Sequence, residues 1–230
     1  DGYLYEFKWM DDWKFGYLGD ALTEYKFRFE PTTHESKSDE ELYRPIETLV
    51  RLANNTPTDR IAAELAPHLD IPAVIRFIAA QVFLAETDGF LGGFGINNLY
   101  LYRLENSQVH TFIAWDADNT FYDPQYSINS GLDSNVLMRD LMNVPEYNAI
   151  YFAELRRNVE LAEADDWLNT EAIRHIQRID TAMKEDPWKP HSNSAYEGKA
   201  GDMLNFSRAR IAFVRCELER GAGNASCRTQ

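Results

Sequence analysis

Hydrophobic positions recur along the chain with two periods, and the switch between them divides it. Alternation with a period of two marks residues 3–9, where Tyr3, Tyr5 and Phe7 alternate with Leu4, Glu6 and Lys8, and residues 24–30, where Tyr25, Phe27 and Phe29 alternate with Lys26, Arg28 and Glu30. The pattern predicts two strands of a hairpin, the second ended by Pro31. The helical period then predicts helices over about 39–53, with Leu42, Ile46, Leu49, Val50 and Leu52 on one face, and over about 58–66. Ser36 or Ser38 is the candidate N-cap of the first; Pro45 marks a start or a kink. The next helix opens at Asp70-Ile71-Pro72 and is apolar on almost every side, as in a buried helix; Ile75, Phe77, Ile78, Val82, Phe83 and Leu84 are core candidates. It stops at Thr87-Asp88-Gly89.

The period of two returns at Leu99–Leu104 and Val109–Ala114, a hairpin turned at Glu105-Asn106-Ser107. Helices are predicted over about 134–142, 146–163, 170–185 and 194–219; the last buries Met203, Phe206, Ile211, Phe213 and Val214. Trp167 and Trp188 read as packing residues, and Arg156, Arg157, Arg208 and Arg210 as solvated helix faces. The fold class is α+β: a small partial β lobe over 1–31, a mainly helical lobe over 32–220 around a central hairpin, and a flexible tail over 221–230. The chain opens at Asp1 inside strand-like sequence, so the start of the domain is expected upstream.

A formal net charge of −14 argues against broad nucleic-acid binding, and any phosphorylated ligand needs cations supplied at its own site. No run of about 18 apolar residues offers a membrane span. Cys216 and Cys227 either close one short disulfide loop, which suggests an oxidising compartment, or stand as one buried thiol and one tail thiol.

The candidate chemistry gathers at the ends of the central hairpin. Asp116 and Asp118 follow the second strand directly, and continued extended backbone places both on one face, where a hard divalent cation relieves their repulsion. Trp115 would shield one side and Asn98 can add a neutral oxygen ligand. Asp88 is the remaining acid, placed in a loop with Gly89, Gly92, Gly93 and Gly95 to accept a proton from an incoming hydroxyl. An Asp base, an Asn ligand and a metal-holding Asp at a strand end are the parts of a kinase-type phosphoryl-transfer site. The five histidines are scattered and none pairs at ligand spacing; Ser127, Ser130 and Ser134 have no histidine and base to make a triad.

Asp88-Gly89, then Asn98-Leu99-Tyr100-Leu101-Tyr102, then Trp115-Asp116-Ala117-Asp118-Asn119-Thr120-Phe121 resembles the signature of the CotH family of spore-coat-type atypical protein kinases. The likeness covers roughly residues 1–125, and the later helices agree in character. It implies an atypical protein-kinase-like fold, and phosphoryl transfer from ATP to serine or threonine hydroxyls of a protein substrate. The implied cofactors are ATP with Mg²⁺ or Mn²⁺ (Ca²⁺ is a further option). By position, Asp88 resembles the catalytic Asp, Asn98 and Asp116 the metal–nucleotide ligands beside Trp115, and Asp118 a second metal-side carboxylate. The implied location is extracellular, cell envelope or spore coat. The nucleotide-anchoring Lys is expected upstream of Asp1, with Lys8 and Lys26 as in-chain candidates. An alternative reading is a catalytically weak member acting as a metal-binding coat or envelope assembly factor.

Overall fold

The computed structural model describes residues 1–228; residues 229 and 230, the end of the expected tail, lie outside the described residues. Four strands form one antiparallel sheet in the order β2-β1-β3-β4: β1 Gly2–Phe7, β2 Phe29–Pro31, β3 Leu99–Leu104 and β4 His110–Ala114. The central hairpin is therefore not separate from the N-terminal strands. β1 lies against β3 with Gly2 opposite Leu104 and Glu6 opposite Tyr100. Alternation sends Tyr3, Tyr5, Phe7, Leu99, Leu101 and Phe112 to one buried face.

The strand expected over 24–30 is mostly helix. α1 spans Leu22–Arg28, and β2 keeps only the last three residues of the segment. Seven residues are too few for periodicity to separate strand from helix. Here Tyr25 and Arg28, three apart, are the buried positions, and Phe27 is exposed. The Arg28 guanidinium reaches Asp11 at 2.6 Å.

Helices cover the buried face. α2 (Asp39–Asn55) is capped by Ser38, whose hydroxyl accepts the Glu41 N–H, and it runs on through Pro45. The Tyr5 hydroxyl donates to the Leu42 carbonyl at 2.8 Å and ties β1 to α2. α3 (Thr58–Leu65) follows, then α4 (Ile71–Phe83), with Asp70 capping Ala73. α4 is buried by β4 on one side and α6 on the other. Ile75, Ile78, Val82 and Phe83 are in the core, while Phe77 and Leu84 pack at its edge. α5 (Val136–Met142), α6 (Pro145–Glu163), α7 (Trp167–Glu185) and α8 (Asn193–Arg220) complete the body. The core is continuous from the sheet through α2, α4 and α6.

Three expectations change. Trp167 and Trp188 are exposed, Trp188 at 90%, because α7 begins at Trp167 after a left-handed break at Asp165 and Asp166, and Trp188 lies in the turn beyond α7. Arg210 on α8 is fully buried rather than solvated. Residues 221–228 are not a loose tail: a Cys216–Cys227 disulfide pins a short helical turn, Ala225–Cys227, onto Phe213. Among the described residues no helix is long and apolar enough to cross a membrane.

Candidate active site

α4 delivers its C-terminal end to the site, and α8 fixes that end. Arg210 donates to the carbonyls of Val82 (2.7 Å) and Phe83 (2.8 Å) in the last turn of the helix, and to those of Pro124 and Tyr126 beyond the hairpin. Ala85 then takes a left-handed conformation (φ 53°) and turns the chain into Glu86-Thr87-Asp88. Asp88 is held at four points. Its N–H donates to Glu86 Oε1 at 2.8 Å. Its Oδ2 accepts from the side-chain amides of Asn97 (3.2 Å) and Asn98 (3.1 Å), and its carbonyl accepts from Asn98 at 3.0 Å. Oδ1 has no partner among the described residues, so a fixed carboxylate keeps one oxygen for an incoming hydroxyl.

The second acidic cluster comes to the same place. Asn98, itself left-handed (φ 55°), accepts the Trp115 N–H through its carbonyl at 3.3 Å. The Thr87 N–H donates to the Asn119 carbonyl at 3.3 Å, and the Phe121 N–H to the Leu84 carbonyl at 2.9 Å. Asp88 and the Asp116–Asp118 segment therefore flank one end of the sheet rather than opposite faces of the molecule. Ala85, Asn98, Asp116 and Phe121 all have positive φ here. Such conformations cost non-glycine residues roughly 1–2 kcal/mol each, and their concentration at one place is typical of functional sites.

Asp116 departs from the expected geometry. β4 ends at Ala114 and Asp116 has φ 41°, so the extended backbone that would align Asp116 with Asp118 does not continue. Both side chains are exposed. Trp115 is also exposed and meets Tyr100 edge-on at 5.3 Å. Among the described residues no three His, Cys, Asp or Glu side chains gather to hold a metal ion. The donor chemistry nevertheless suits a hard cation. Asn98 turns its amide nitrogen to Asp88, which leaves its side-chain oxygen without a hydrogen-bond partner among the described residues. Mg²⁺ is commonly held by one or two carboxylates, with phosphate and water completing its shell.

Glu86 escapes sequence reasoning. It is 4% exposed, and its Oε2 is buried without a hydrogen-bond partner. Burial pushes its carboxyl above the usual range, and the charges of Asp88, Asp118 and Asp116 push it further. Glu86 therefore feels the charge of all three aspartates. The sequence showed an acid two residues before Asp88, but its burial depends on the left-handed turn at Ala85.

Asp88 opens onto a cavity of about 550 Å³ shared with Lys14, Gly92, Asn119, Ser130 and Ser134. Two glycines, Gly95 in the Asp88 loop and Gly131 on the cavity wall, leave no room for a side chain. Gly95 (φ 97°) lies so close to Asp12 that a Cβ would come within 2.7 Å of its backbone, and Gly131 (φ 78°) lies equally close to Leu91. Of the lysines weighed from sequence, Lys8 is paired with Glu6 and Glu30, and Lys26, on α1 rather than a strand, with Asp39.

The CotH kinase protein family model matches residues 1–214. The inner spore coat protein H of Bacillus subtilis strain 168 is 20% identical over 214 residues, which cover 90% of this chain. The chain spans 58% of the length of that relative. The matched stretch contains Asp88, Asn98, Asp116 and Asp118 and extends through the helices into α8, so the family covers the fold as well as the acidic motifs: the chain belongs to the CotH kinase protein family.

Proposed function

We propose that this chain carries the catalytic end of a metal-dependent protein kinase that moves the terminal phosphoryl group of ATP to serine or threonine hydroxyls. The observation that carries the reading is the tethering of Asp88 through Oδ2 alone, at the mouth of a cavity and beside the Asp116–Asp118 segment. Bound metal–ATP supplies the electrophilic phosphorus. Asp88 would orient the acceptor hydroxyl and take its proton at Oδ1 as the acceptor's own oxygen bonds to the γ-phosphorus and the bond from that phosphorus to the β-phosphate oxygen breaks, releasing ADP. Asp116, Asp118 and the Asn98 amide oxygen hold Mg²⁺ or Mn²⁺, and Trp115 borders the nucleotide. Asn97 and Asn98 keep Asp88 from rotating, which matters because phosphoryl transfer depends on positioning and charge stabilisation. By its kinship with an inner spore coat protein, the acceptor is a protein of a spore coat or comparable envelope layer.

The test is transfer of ³²P from labelled ATP to a serine-rich acceptor by the full protein with Mg²⁺ or Mn²⁺. Asp88→Asn and Asp116→Asn are each expected to lower transfer by roughly 10²–10⁴-fold. Transfer unaltered in both variants would overturn the roles. Stabilisation by Ca²⁺ alone, with no response to nucleotide and no transfer, would instead identify a metal-binding assembly protein.

A further inference from the structure

The cavity beside Asp88 carries a cation that the acidic motifs do not explain. Lys14 lies in the loop between β1 and α1, between two buried aromatic residues, Trp13 and Phe15, whose rings stack at 5.4 Å. The backbone of all three is fixed. Trp13 accepts the Ile96 N–H at 2.8 Å, Lys14 the Val136 N–H at 3.0 Å, and Phe15 an Asn54 side-chain N–H at 2.9 Å. Phe15 has φ 67°, so the loop is held in a conformation it would not adopt alone. With both neighbours packed in the core, Lys14 lines the same cavity as Asp88. Its ammonium has no carboxylate within ion-pair distance among the described residues, in a chain of net charge −14. Lys8, Lys26, Lys37, Lys184 and Lys199 all have such a partner.

An unpaired ammonium on a fixed backbone at the wall of an open cavity retains its capacity to bind an anion. Ser130 and Ser134 line the same cavity, where the Ser134 hydroxyl donates to the Gly131 carbonyl at 3.1 Å, and Asp88 adds one acceptor for a hydroxyl. A cation facing a hydroxyl acceptor is the complement of a serine side chain before and after it gains a phosphoryl group.

We propose that Lys14 is the cationic contact of a binding site for a phosphate monoester, occupied by the phosphoseryl side chain of the product. The identity of that monoester rests on the kinase reading; the existence of the site does not. The nucleotide's terminal phosphate has the same chemistry, and the experiment separates the two sources.

The full protein is titrated by calorimetry with N-acetyl-O-phosphoserine amide, with the unphosphorylated amide, and with a non-hydrolysable ATP analogue plus Mg²⁺. The phosphoserine compound is expected to bind saturably and its serine counterpart not. Lys14→Ala weakens phosphoserine binding about tenfold or more, and Lys14→Arg restores most of it. Thermal melting of Lys14→Ala matches wild type, because the ammonium holds nothing in the fold. Phosphoserine binding unchanged in Lys14→Ala overturns the proposal, as does selective loss of the ATP analogue. ³²P transfer is measured in parallel. Lys14-dependent phosphoserine binding without transfer would keep this site and remove the kinase reading. Transfer with Lys14-independent binding would do the reverse.

Discussion

Asn98 grips Asp88 twice with one amide nitrogen, at the carboxylate (3.1 Å) and at the backbone carbonyl (3.0 Å), while its own backbone sits at φ 55°. Two roles are thus combined in one residue, and substitution separates them. Glycine tolerates the left-handed conformation but has no amide; alanine lacks the amide and also strains the backbone. Asn98→Gly is expected to melt within a degree or two of wild type yet lose roughly 10–100-fold in the rate of phosphoryl transfer, the scale of a slightly misplaced catalytic group. Asn98→Ala should lose both rate and about 1 kcal/mol of stability. Denaturant titration beside a transfer assay checks the split; equal rates for wild type and Asn98→Gly would show that Asp88 needs no tether.

His110 makes the fold acid-sensitive. It is fully buried at the start of β4, and its Nδ1 donates to the His68 carbonyl at 3.0 Å, so the neutral ring leaves Nε2 as a buried acceptor with no partner. Burial, opposed only in part by that hydrogen bond, lowers its pKa to about 4. In the unfolded chain the ring protonates near 6.5, so between pH 6.5 and 4 the unfolded state binds more protons and stability falls as pH falls. The loss across that window is about 3 kcal/mol at pH 4 relative to pH 7. Urea midpoints measured from pH 7 to 4 should drop for wild type and drop distinctly less for His110→Phe.

Arg210 serves as a bracket. Its guanidinium satisfies carbonyls on both sides of the site, at Val82 and Phe83 on α4 and at Pro124 and Tyr126 after the hairpin. Burial pushes it down to about 10, which leaves it charged at neutral pH. Lysine preserves the charge but cannot span four acceptors from one planar group. Arg210→Lys is expected to cost roughly 2–4 kcal/mol of unfolding free energy, because buried carbonyls are stranded. Guanidinium denaturation checks it; a loss below 1 kcal/mol would mean the carbonyls find water.

The legible parts of this molecule were those with long, strong patterns. α4 was clear because thirteen nearly uninterrupted apolar residues follow an Asp-Ile-Pro start, although it ends at Phe83 and turns at left-handed Ala85, short of the stop expected at Thr87-Asp88-Gly89; the β3–β4 hairpin was clear because its alternation is clean. Spacing around that hairpin singled out Asp88, Asn98 and Asp116, and the fold brings the segments that carry them together. What failed was local or depended on distant contacts. Residues 24–30 satisfy both periods, and only packing against α2 decides for helix. Arg210 looked like any helix arginine, since its four acceptors lie 84 to 128 residues away. Glu86 and Lys14 owe their significance to left-handed turns at Ala85 and Phe15, positions where neither residue type advertises such a conformation.

Glu86 gives the sharpest test of the acidic neighbourhood, because its two carboxyl oxygens are in opposite situations. Oε1 accepts the Asp88 N–H, an interaction available to a carboxylate, a carboxylic acid or an amide alike. Oε2 is buried with no partner. Burial raises the carboxyl above its value of 4.5 in the unfolded chain; the Asp88 N–H opposes that in part, and repulsion from Asp88, Asp118 and Asp116 adds to it. A raised folded-state pKa means that the folded protein binds more protons between 4.5 and that value. The contribution is fully favourable below 4.5 and is lost as pH rises through the folded pKa. Glu86→Gln keeps the shape and the bond from Asp88 while removing the charge. It should therefore melt higher than wild type at pH 8, with the advantage shrinking on acidification and gone below pH 4.5. Melting curves of the two proteins from pH 4 to 8 decide the matter. A variant less stable than wild type at pH 8 would mean that the carboxylate is stabilised by something other than its neighbours, and that the four acids do not crowd one another.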